Sequence, residues 1–60
     1  MSTVYNPEAD VIAEIERLEI DARDMRRRMG MARSAEDRRV LNKLLQETER
    51  KVEVLRKRLP

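Results

Sequence analysis

Apolar positions set out two stripes along this chain. In the first half the stripe runs through Val11, Ile15, Leu18, Ala22, Met25 and Met29. In the second it runs through Leu41, Leu45, Thr48, Val52, Leu55 and Leu59. Within each half the gaps alternate between four and three residues, the heptad spacing that keeps one face of an α-helix against a partner. Continuing the first register past Met29 would put Ala32, Glu36, Arg39, Lys43, Gln46 and Arg50 in the core, nearly all of them polar. The second stripe is out of phase with the first by two residues, about 200° at roughly 100° per residue. An unbroken helix would carry its two stripes on opposite sides. A chain folded back on itself brings them face to face, so the pattern predicts an all-α antiparallel hairpin of two amphipathic helices.

Local chemistry marks where the helices start and stop. Asn6 and Pro7 form a helix start, with asparagine as a cap and proline at the first helical position, where its missing N–H is no loss. Glu8 and Asp10 meet the positive end of the helix dipole. Gly30, the only glycine, is expected to end the first helix by taking a left-handed conformation. Ser34, followed by Glu36 and Asp37, is a second start signal. The expected organisation is a leader at 1–6 and a hairpin at 7–60. Its first helix spans about 7–30, its turn about 30–35 and its second helix about 35–59. Pairing the stripes layer by layer sets Met29 by Leu41, Met25 by Leu45, Ala22 by Thr48, Leu18 by Val52 and Ile15 by Leu55. Tyr5, the only aromatic residue, is expected to cover the open end near Ala9 and Ile12.

Composition then points to association. The chain has 60 residues, 43% of them charged and 2% aromatic. A core large enough to stabilise it alone is out of reach, since domains of this length are marginal even when globular. Scaffolds this small usually depend on disulfides, a metal or a partner. With no cysteine and no histidine, disulfides are excluded and a zinc site is not expected. The remaining route is packing against another helical surface. Leu44 beside Leu41 and Leu45, with Val40 and Val54 further round, makes a wider apolar face than two strands need and suits a bundle of three or four helices. The expected state is a homodimer forming a four-helix bundle, or a complex with a helical partner. The expected packing interface is Val11, Ile15, Leu18, Met25, Met29, Leu41, Leu44, Leu45, Val52, Leu55 and Leu59.

Charge adds one further candidate surface. The net charge of +2 selects no partner, but its distribution is uneven. Helix 1 begins acidic and ends basic, and helix 2 starts with Glu36 and Asp37 and ends with Arg56, Lys57 and Arg58. Each helix thereby complements its own dipole. Acid-first pairs at Glu19/Arg23, Asp24/Arg28, Glu47/Lys51 and Glu53/Lys57 have favourable spacing. Arg26, Arg27, Arg28, Arg33, Arg38 and Arg39 crowd the turn as a candidate anion-binding group, because guanidinium forks bind phosphate in bidentate fashion. With no aromatic interleaved, nucleic-acid binding there would be led by the phosphate backbone and sensitive to salt.

No catalytic residue set is found. There is no histidine base, no cysteine nucleophile and no glycine-rich phosphate loop, and Ser34 is accounted for as a cap. The expectation is a non-enzymatic interaction protein without cofactors, with a nucleic-acid-binding regulator as the alternative. No stretch is apolar enough to span a membrane, and Met1–Asn6 lacks the regions of a signal peptide. Cytoplasmic residence is therefore expected.

Overall fold

A computed structural model describes residues 6–60 and contains two helices, α1 (Pro7–Gly30) and α2 (Ala35–Arg56), packed against each other as a hairpin. The expected contact of Tyr5 with the open end, and the leader before Asn6, lie outside the described residues.

The two starts form as their sequences require. The Asn6 side chain accepts hydrogen bonds from the backbone N–H of Glu8 at 3.0 Å and of Ala9 at 3.3 Å, and Pro7 opens α1. Ser34 has extended backbone, and its hydroxyl oxygen accepts from the Asp37 N–H at 3.1 Å. In both caps a short side chain satisfies amides that have no carbonyl partner in the first turn.

The stops differ from expectation. Gly30 does not adopt the left-handed conformation; it has no positive φ and remains inside α1. The cap is Met31 at φ −105° and ψ 0°, whose N–H bonds to the Arg28 carbonyl at 3.0 Å. The Ala32 N–H then bonds to the Met29 carbonyl at 3.3 Å. The helix thus ends by tightening its last turn, and Ser34 redirects the chain. At the other end α2 stops at Arg56 rather than near residue 59. Here too the N–H groups of Arg58 and Leu59 reach back three residues, to Leu55 at 3.0 Å and to Arg56 at 3.1 Å.

The core is the pair of stripes. Ile15, Ala22, Leu45, Thr48 and Val52 are buried, while Val11, Leu18, Met25, Met29, Leu41, Leu55 and Leu59 are half-buried. The Thr48 hydroxyl donates to the Leu44 carbonyl at 2.9 Å, so this buried polar group is satisfied within its own helix. It also lies 3.8 Å from the Met25 sulfur, so Thr48 sits beside Met25, not in the expected layer with Ala22: the helices pair about one layer away from the register that matching the stripes suggested. Ala22, at 4% exposed, is the most buried residue.

The result is a single layer. The Cα atoms span 53 × 23 × 12 Å with a radius of gyration of 15.1 Å, whereas a compact chain of 60 residues would have about 10 Å. Among the described residues no side chain is fully buried, and the four apolar core residues remain 4–8% exposed. Globular domains enclose their core between two packed layers. This hairpin supplies one.

Candidate interaction surfaces

Two flanks border the seam, and they differ in chemistry. On one, two ion pairs cross between the helices: Arg26 donates to Glu49 at 3.0 Å and Arg56 donates to Glu19 at 2.9 Å. Glu19 and Arg26 are seven residues apart on α1, and Glu49 and Arg56 are seven apart on α2, so both bridges report the same antiparallel register. The acid–base order reverses between them, which an offset of a full heptad would not reproduce with other partners. All four side chains are roughly half exposed, so the bridges select orientation more than they stabilise.

The opposite flank of α2 exposes three apolar side chains among the charged Glu36, Glu47 and Lys51. Val40, Leu44 and Val54 are 56%, 44% and 48% exposed. At roughly 100° per residue they fall within about 80° of arc, centred about half a turn of the helix from Glu49 and Arg56. Of the expected packing residues, Leu44 is the one the single hairpin leaves exposed. It precedes Leu45 by one position and therefore projects well to the side of the seam. Ile12, Ile20 and Met31 are also exposed.

The six arginines expected to bind an anion are divided by their partners. Arg26 is engaged by Glu49, while Arg27 and Arg28 both face Asp24, at 3.5 Å and 2.9 Å. Arg33, Arg38 and Arg39 form no ion pair among the described residues. The six do not share one face: Arg26 lies on the ion-paired flank and Arg28 across the seam from it, with three held by carboxylates and three exposed. Of the four expected acid-first pairs, Asp24/Arg28 forms. Glu19 pairs with Arg56 across the hairpin in place of Arg23, and Glu14 pairs with Arg17 at 2.6 Å. The crossing bridges depend on helix register, which intrahelical spacing does not reveal. The signal for them was the acidic start of α1 lying against the basic end of α2.

Among the described residues no three histidine, cysteine, aspartate or glutamate side chains cluster so as to hold a metal ion, and no helix is long and apolar enough to cross a membrane. Comparison with protein-family models, with curated proteins and with solved structures finds no match.

Proposed function

We propose that this chain is a small non-enzymatic interaction protein that acts by packing its incompletely covered apolar surface against another helical surface, in the first instance as a homodimeric four-helix bundle. The observation that carries this reading is the single-layer core, in which no described side chain is fully buried. A second hairpin would supply the missing layer, and the exposed Val40, Leu44 and Val54 of α2 offer apolar contacts for it. Sedimentation and circular dichroism across a concentration series test the reading. The parent is expected to be a helical dimer, and Leu45→Asp, which sets a charge in the seam, is expected to lose both mass and helicity. A parent that stays fully helical and monomeric at every concentration would overturn it.

The second reading is a nucleic-acid-binding regulator, favoured by Arg33, Arg38 and Arg39, which form no ion pair among the described residues. Binding to single- and double-stranded probes is expected at ~50 mM salt and should weaken steeply as salt rises. Charge reversal at Arg27 and Arg38 should remove it while leaving helicity intact. No binding by the parent at that salt rejects this reading.

A further inference from the structure

Charge is polarised along the hairpin. From Arg23 to Lys43, the turn end, eight basic residues face three acidic ones, a net +5. The rest of the chain carries six basic and nine acidic, a net −3. Two shallow grooves repeat this polarity at opposite ends. At the open end, Val11 and Leu55 form the floor of a groove edged by Glu8, Asp10 and Glu14, with Arg58 its one cation among the described residues. At the turn end, Met31, Val40 and Leu41 form the floor of another, edged by Arg28 and Arg33, with Asp37 as its one acid.

Both grooves open on the same flank. On α1, Asp10, Glu14 and Arg28 lie within about 40° of one another, across the seam from Glu19 and Arg26. On α2, Val40 lies across the seam from Glu49 and Arg56 in the same way. The ion-paired flank is the poorer docking face, because burying its two bridges would strip water from four charges. The groove-bearing flank holds the exposed Val40, Leu44 and Val54.

We propose that a second copy of this chain docks on the groove-bearing flank with its long axis reversed, so that the acid-edged groove of each copy lies over the arginine-edged groove of the other. This rests on the association reading and adds its face and its orientation. A two-fold axis across the hairpin makes that match twice, as an isologous interface requires. The alternative, with both turns at one end, would stack +5 on +5. The extended shape leaves surface to cover: the chain exposes 5392 Å² against about 4,100 Å² for a compact chain of its 7.2 kDa mass. That surplus of about 1,300 Å² exceeds the ~800 Å² per partner of a standard interface.

The test is a distance between copies. The chain has no cysteine, and Gly30 sits at the turn end on the ion-paired side with nothing within 4 Å of an added Cβ. Gly30→Cys therefore places a spin label off the proposed interface. Reversed copies should set the two labels roughly 35 Å or more apart, about the length of α1 at 1.5 Å per residue. A separation within about two helix diameters, ~20 Å, would overturn the orientation while leaving association standing. A monomer would overturn both. Charge exchange checks the grooves themselves. Arg28→Glu with Arg33→Glu, and separately Asp10→Lys with Glu14→Lys, should each weaken self-association at least about tenfold. Mixing the two variants should restore a dimer. Undiminished self-association of either variant would refute the groove-to-groove match.

Discussion

Gly30 sits in the last turn of α1 in a conformation any residue can adopt, and an added Cβ would meet nothing within 4 Å. Its glycine freedom is therefore spent only in the unfolded chain. Gly30→Ala is expected to stabilise the fold by about 0.5–1 kcal/mol, seen as a higher urea midpoint at unchanged slope. A loss of stability would show that the turn does require glycine there. Ala22 offers the opposite case. It is the most buried residue, so Ala22→Leu should overpack the seam and cost about 1–3 kcal/mol in the same assay. The small size of Ala22 was legible from its place in the stripe. The conformation of Gly30 was not, because a glycine near a helix end is compatible with both the left-handed stop and a tightened final turn. The tightened turn forms through Met31, whose N–H reaches the Arg28 carbonyl, and Ala32, whose N–H reaches that of Met29.

The two helices owe their pairing to phase. Every position of the stripes from Val11 to Met29 and from Leu41 to Leu59 is buried or half-buried, and the break between the stripes is what turns a long helix into a hairpin. That much follows from spacing alone. Ion-pair partners do not, because Glu19 has Arg23 within reach on its own helix and takes Arg56 on the other. A double-mutant cycle on Glu19 and Arg56 is expected to give a coupling of about 0.2–1 kcal/mol that falls as salt rises, as half-exposed pairs do. A coupling of zero at low salt would mean that the bridge plays no part in setting the register. The crowding of arginines near the turn was legible along the chain. Their division into paired and open members was not, since Asp24 holds both Arg27 and Arg28 and Glu49 reaches Arg26 only once the helices are aligned.

For the molecule as a whole, the thin slab sets the terms. An association that completes the core makes stability depend on concentration, because the folded form counts two chains and the unfolded form one. With about 0.7 kcal/mol of unfolding enthalpy per residue, a tenfold rise in concentration should raise the melting temperature by roughly 5 °C. A melting temperature that does not move over two decades of concentration would place the whole stability within one hairpin. The groove polarity adds a dependence on ionic strength, since complementary ends attract less when screened.

The four residues between Gly30 and Ala35 also act as a tether. Each helix carries its own cap, Asn6 for α1 and Ser34 for α2, so neither relies on the other to begin. The turn contributes proximity: it holds α2 near α1 at an effective concentration in the millimolar range, as short linkers do. Divided after Arg33, the protein would become two complementary peptides, each with its own start signal and half of the seam. Their pairing would then be governed by how much of each is present.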